Sequence, residues 1–234
     1  MIKTPSILYV HLHKTGGQFV NRLLLRFIPG AARIGYHLPL SEAPLELRTL
    51  PVLGHVRNPW DWYVSWYAFN HAAPERNPIY RAVSAHGSLD FTKTIANLVM
   101  LGDEDHQPLR MEIANQLPKN RDINLGSGIT SGIMAGMQNP GQGYLTWIWR
   151  YMFQVEGKIH GVTFGRYESL RQELAGLLTR HGLLVSPAMR HEINTGAAVN
   201  ASVHAEYRNY YSEPLMQLIA DRERDYIEQF GYTF

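Results

Sequence analysis

An apolar run, Ile7-Leu-Tyr-Val-His-Leu12, leads directly into His13-Lys14-Thr15-Gly16-Gly17, and the next residues, Gln18 to Phe27, carry a helical pattern. A strand, a tight glycine turn and a helix start, in that order, point to an α/β fold with the turn at the strand's C-terminal edge. They also make a place for an anion. The first-turn N–H groups of a helix have no partner within it, and the helix dipole is positive at that end. Glycines let the backbone close around an oxyanion. Lys14 adds a full charge to the same turn. It precedes the glycines, whereas a Walker A loop places its lysine after them, so this is a different kind of anion loop.

A second segment repeats the arrangement. Val52-Leu-Gly-His-Val-Arg57 reads as a strand, Asn58-Pro59 as a turn, and Trp60 onward as a helix whose first turn holds Asp61. Pro59 fits a turn or first helical position, and Asp61 suits the positive end of the dipole. Each segment alone is also an ordinary strand-to-helix turn. Two of them, each at a strand end before a helix, favour a shared ligand.

The order Lys14-Thr15-Gly16-Gly17 resembles the 5′-phosphosulfate loop of sulfotransferases that use 3′-phosphoadenosine 5′-phosphosulfate (PAPS), commonly His-Lys-Thr-Gly-Gly-Thr. Arg57-Asn-Pro-x-Asp61-x-x-x-Ser65 resembles the 3′-phosphate segment of that family. Phe164-Gly-Arg-Tyr-Glu-Ser-Leu170 looks like its strand-end Tyr-Glu-x-Leu, and Tyr207 to Phe234 like its closing helix and tail, as in bacterial and glycan-type members. The resemblance implies a P-loop-like sulfotransferase fold and metal-free, in-line transfer of a sulfuryl group from PAPS to an acceptor hydroxyl of a glycan, lipid or small metabolite, leaving 3′-phosphoadenosine 5′-phosphate (PAP). It implies that Lys14 stabilises charge on the departing 5′-phosphate. Thr15, Gly16 and Gly17 would supply backbone N–H groups, and Thr15 a hydroxyl as well. Arg57 and Ser65 would bind the 3′-phosphate, and Tyr167 would lie beside the adenine. Gln18 stands where the family usually has Thr or Ser, which replaces a compact hydroxyl by a longer amide. Asn194-Thr195-Gly196 falls where a late loop returns to the 3′-phosphate.

An acceptor hydroxyl also needs a base. His37, in the connection after the first helix, is the leading candidate, because an ordinary imidazole titrates near neutrality. Glu42, His13 and His55 compete with it. His11 and His13 share a strand face with no third ligand in view, so a hydrogen-bonded pair is expected rather than a metal site. The aromatic helix start is expected to pack, with Trp60 able to stack on adenine. A P-loop nucleotide kinase is the alternative enzyme, and it would need a lysine after the glycines. A nucleotide-binding module without turnover is the non-enzymatic alternative.

Composition bounds these readings. The 234 residues suit one α/β domain spanning 1–234, and 45% hydrophobic with 18% charged residues describes a globular chain. A net charge of +2 is too small to argue for nucleic acid or an anionic membrane, so neither is expected as a partner, and the absence of cysteine removes disulfide and thiolate chemistry. No apolar run is long enough to span a bilayer and no leader pattern precedes the first strand, so a cytoplasmic location is expected. The patterns predict a parallel sheet with strands 7–13, 52–57 and 160–166. Helices are predicted at 17–28, 41–48, 60–71, 78–86, 90–101 (capped by Ser88 or Asp90), 144–154, 168–181 and 205–229. Residues 102–143, rich in glycine and proline, read as a mobile loop-rich insertion or a substrate lid, with Met134 and Met137 as adaptable apolar contacts.

Overall fold

A computed structural model of the chain describes residues 1–124, 126–159, 161–197 and 204–234. Its strands are β1 (Ile2–Lys3), β2 (Leu8–Tyr9), β3 (Ala32–Arg33), β4 (Val52–Val56) and β5 (Val162–Arg166). Its helices are α1 (Gly17–Phe27), α2 (Pro59–His71), α3 (Pro78–Val83), α4 (Phe91–Val99), α5 (Gln107–Gln116), α6 (Ser131–Ala135), α7 (Tyr144–Phe153), α8 (Leu170–Arg180), α9 (Pro187–Thr195), α10 (Glu213–Arg222) and α11 (Arg224–Phe230). The chain groups into two compact units. Met1–Arg57, Asp122–Gly128 and Trp149–Ala201 make the first; Asn58–Arg121, Ile129–Ile148 and Ser202–Phe234 make the second. Among the described residues no helix is long and apolar enough to cross a membrane.

The first unit is α/β. Its sheet has the order β3-β1-β2-β4-β5. Strands β2, β4 and β5 are parallel, as expected, but β1 pairs antiparallel with both β2 and β3, so the sheet is mixed. The cause is local. Thr4 takes the N–H of Ile7 on its hydroxyl and returns that hydroxyl's hydrogen to Ile7 O, closing a tight turn around Pro5 that folds β2 back on β1. The strand expected over 7–13 is regular only at Leu8–Tyr9, with Val10 N–H still reaching Leu53 O at 2.9 Å before the chain leaves the ladder. All five residues of β4 are buried, the pattern of a strand covered on both faces. Phe19, Val20, Leu23 and Leu24 of α1 and Leu170, Leu174, Leu177 and Leu178 of α8 close the core over Tyr9 and Leu53. On the other face Phe153 presses on Gly54, where a Cβ would stand 2.6 Å from the ring.

Several boundaries differ from expectation for identifiable reasons. The helix predicted over 41–48 is two 3₁₀ turns, Leu40–Glu42 and Leu45–Leu47, because Pro44 cannot donate within a helix. The strand predicted from 160 begins at Val162; His160 lies outside the described residues. Helix α9, opened by Ser186 capping Met189 N–H, was not predicted, nor was α5 within 102–143. That segment is not merely a loop. It holds α5 and α6, and Met134 and Met137 are core residues rather than surface contacts.

The second unit, described by itself, is helical. Asn58 Oδ1 accepts from Trp60 N–H at 3.0 Å and caps α2, and Asp90, not Ser88, caps α4 through Lys93 N–H. The closing helix expected over 205–229 is a 3₁₀ turn followed by α10 and α11, since Pro214 starts a new helix. The most demanding group is Glu223, which is 0% exposed. Its Oε1 accepts from the Tyr63 hydroxyl and from Leu145 N–H (3.0 Å). Its Oε2 accepts from Thr146 N–H (2.7 Å) and the Thr146 hydroxyl. The carboxylate thus caps the start of α7, and a Cβ on Gly143 would stand 2.1 Å from it. Burial pushes its carboxyl up from the ordinary range while the donors pull it back. We predict that Glu223→Gln, which turns an NH₂ toward two of these donors, destabilises the protein by about 2–4 kcal/mol in urea unfolding. An unchanged midpoint and slope would show the four contacts to be unimportant.

Candidate functional site

The parallel register decides what meets at the C-terminal edge of the sheet. β4 and β5 pair Val52↔Val162 through Val56↔Arg166, so both end at the same level. Arg57 and Tyr167 are the next residues, and Tyr167 N–H donates to Val56 O at 2.8 Å. The Arg57 guanidinium carbon lies 4.1 Å from the Tyr167 ring centroid, a close cation–π contact. Arg57 Nη1 also donates to Lys14 O at 3.1 Å, tying the strand end to the glycine turn. Lys14, Gly16, Gly17, Arg57 and Tyr167 are therefore one cluster in the first unit. Ser65, expected beside Arg57, is a buried residue of α2 in the second unit.

The turn itself is tightly constrained. Lys14 takes a left-handed conformation (φ 58°), uncommon for a side chain with a Cβ. Gly16, at φ 77°, caps α1 without any side-chain hydrogen bond, and the first turn of α1 has no acidic residue. A Cβ on Gly16 would meet Leu170 at 2.8 Å and Tyr167 at 3.2 Å. One on Gly17 would fall 1.8 Å from the His11 ring, which lies against the start of α1. Desolvation, and then the Arg57 charge, pushes the Lys14 ammonium down to about 8.

One expected side-chain donor, Thr15, is committed elsewhere, and Gln18 gives one of its two amide hydrogens to a neighbour. The Thr15 hydroxyl donates to Leu12 O at 2.8 Å and braces the turn, so its hydrogen is not available to an anion. Gln18 Nε2–H donates to the Tyr36 hydroxyl. Tyr36 was not foreseen, and neither was His11 with Asn21, whose Nδ2 lies 3.5 Å from His11 Nδ1. No local spacing marks these pairs; each joins residues from different elements.

His37 is 6% exposed and left-handed (φ 46°). Its ring stacks on His13 at 3.8 Å and lies 4.4 Å from His11. Nδ1–H donates to His11 O at 3.1 Å, which leaves Nε2 as the proton-accepting nitrogen. Burial first, then His13 and His11, holds the imidazole well below its ordinary value, so it titrates below the near-neutral range expected from the sequence. The other candidate bases separate. His55 is in the core, its Nδ1 3.1 Å from the Tyr9 hydroxyl; His13 Nε2–H donates to Ser127 O; Glu42 is exposed on a 3₁₀ turn. Asn194 and Thr195 end α9, and Arg171 holds the carbonyls of Ile193 and Gly196, so this stretch is bound into the fold. Trp60 donates Nε1–H to Met216 O and packs on Phe234, a packing role. Among the described residues no group of three or more His, Asp or Glu side chains is arranged to hold a metal ion.

The buried imidazoles set a pH dependence. Burial lowers His55 to about 4 and lowers His11 and His37 as well. His13 is lowered too, to about 4, but the residue is only half-buried, so the first three carry the argument. Each group binds protons more readily unfolded than folded. Their contribution is therefore complete above about pH 6.5 and is lost as pH falls toward 4. We predict that replacing the Tyr9–His55 pair by Phe and Leu reduces the stability lost between pH 7 and pH 5 by about 1–2 kcal/mol. Equal acid sensitivity in both proteins would rule His55 out as a contributor.

Comparison of the chain with protein-family models, with curated proteins and with solved structures finds no match.

Proposed function

We propose that the chain transfers the sulfuryl group of PAPS to an acceptor hydroxyl of a glycan, lipid or small metabolite. What supports this reading is that several of the residues carrying the sequence resemblance adjoin one another in the first unit: Lys14 and the Gly16–Gly17 start of α1, with Arg57 and Tyr167 at the ends of β4 and β5. A kinase of the P-loop class would need the opposite order of lysine and glycines.

In this reading the uncapped start of α1 and Lys14 hold the 5′-phosphate, and Arg57 holds the 3′-phosphate with its planar fork steadied on Tyr167. Transfer breaks the bond from sulfur to the bridging 5′-phosphate oxygen and forms one from sulfur to the acceptor oxygen. The Lys14 ammonium stabilises the charge left on the phosphate, and the acceptor's proton passes to His37 Nε2. Such a loose displacement asks for positioning and charge more than covalent help. A second reading, nucleotide binding without turnover, draws on the burial of His37 and its weakened basicity. Desulfation of PAPS in the presence of an acceptor panel separates the two.

Calorimetric titration tests cofactor choice. PAP should bind more tightly than 5′-AMP, and Arg57→Ala should remove most of that preference, about 10- to 150-fold. Equal affinities in the unmodified protein would refute the assignment. The Lys14 charge gives an independent check. PAP affinity should hold below the pH near 8 at which Lys14 titrates and weaken above it. Lys14→Arg should extend the plateau to higher pH, because guanidinium does not titrate there. A profile unchanged by that substitution would assign the alkaline limb to another group.

A further inference from the structure

The phenol of Tyr36 stands beside the turn with a donor to give. Its oxygen accepts from Gln18 Nε2–H, and among the described residues nothing accepts its own hydrogen. Gln18 is in the first turn of α1, so the hydroxyl lies within one side chain's reach of the helix N-terminus. The half-buried ring is held from several sides. His37 meets it edge-on at 4.5 Å, His11 at 6.4 Å, and the Arg33 guanidinium lies 5.8 Å from its centroid. Its backbone N–H is fixed to Ile123 O at 2.6 Å.

The loop needs such a donor. Thr15 spends its hydroxyl hydrogen on Leu12 O, and Gln18 turns its amide toward the phenol. We propose that the Tyr36 hydroxyl donates a hydrogen bond to the 5′-phosphate of the bound nucleotide, with Gln18 as the residue that positions it. The proposal rests on the nucleotide reading above. An accepted N–H polarises a hydroxyl and makes it a better donor. Burial, the largest influence, raises the phenol above its ordinary value, so the hydroxyl keeps its proton at neutral pH. The Gln18 contact then serves the loop at one remove: it holds the phenol in place and leaves the donation to it.

The test uses three nucleotides. The preference for PAP over adenosine 3′-monophosphate reads the 5′-phosphate, and the preference for PAP over 5′-AMP reads the 3′-phosphate. In Tyr36→Phe, checked for an unchanged unfolding temperature, the first preference should fall about 10-fold while the second stays constant. Adding Gln18→Thr to Tyr36→Phe should restore most of the loss by supplying a hydroxyl from the loop itself. A folded Tyr36→Phe that keeps the first preference would overturn the proposal. Should that variant be unstable, Gln18→Ala loosens the phenol without removing it and should give a smaller loss of the same preference; no loss there would also overturn the proposal. If the unmodified protein shows no preference for PAP over 5′-AMP, it is the nucleotide reading that fails.

Discussion

The parallel pairing of β4 with β5 is the constraint on which the candidate site depends. Five consecutive pairs in register bring both strands to an end at one level, so the residues that follow them become neighbours without any search. Arg57 and Tyr167 meet for that reason, and the 4.1 Å contact between guanidinium and ring is a consequence of register. Strand β2 contributes less pairing but leaves the sheet at the same edge, and Lys14 O completes the link by accepting from Arg57. An error of one residue in the β4–β5 register would send Arg57 to the opposite face and dissolve the cluster.

Glycine at 16 and 17 has a packing cause as well as a chemical one. Gly16 is left-handed and lies under Leu170 and Tyr167; Gly17 leaves room for the His11 ring. These contacts would demand glycine in an empty loop too, so the glycines alone do not argue for a ligand. Lys14 does. Its left-handed backbone stores strain, and its ammonium loses water beside the Arg57 charge.

What was legible in the sequence was local. The strand, turn and helix around Gly16, the Asn58-Pro59 turn before α2, the Asp90 cap, the uninterrupted apolar run of β4 and the leucine spacing of α8 each declare themselves within a few residues. What was hidden depended on distant partners or weak patterns. Strands β1 and β3 are two residues long: the Thr4–Ile7 turn sets β1 beside β2, and β3 pairs on the other edge of β1 after α1. Helix α5 begins at a proline-containing turn and buries only Arg110, Ile113 and Ala114, too narrow a face to read as periodic. In the site, residue types were legible but their commitments were not. That Thr15 would turn to Leu12 O, that Gln18 would face Tyr36 and that His37 would be stacked and buried follow from contacts no spacing encodes.

Those commitments change the electrostatics of the site. His13 lies within reach of the Lys14 charge, His37 stacks on His13, and His11 lies against His37, so these rings, if charged, would have added to the positive field. Burial and their mutual contacts keep His11 and His37 neutral, so these rings add nothing to the charge of Lys14 and Arg57. The Lys14 and Arg57 charges stand in partly buried surroundings that screen them less than water does. A desolvated lysine with a depressed pKa regains stability when an anion sits beside it, because the anion's charge offsets both the lost hydration and the repulsion from Arg57. Under the proposed anion reading, the stacked histidines favour binding by staying uncharged beside the turn, which leaves the field of Lys14 and Arg57 unopposed by further like charge.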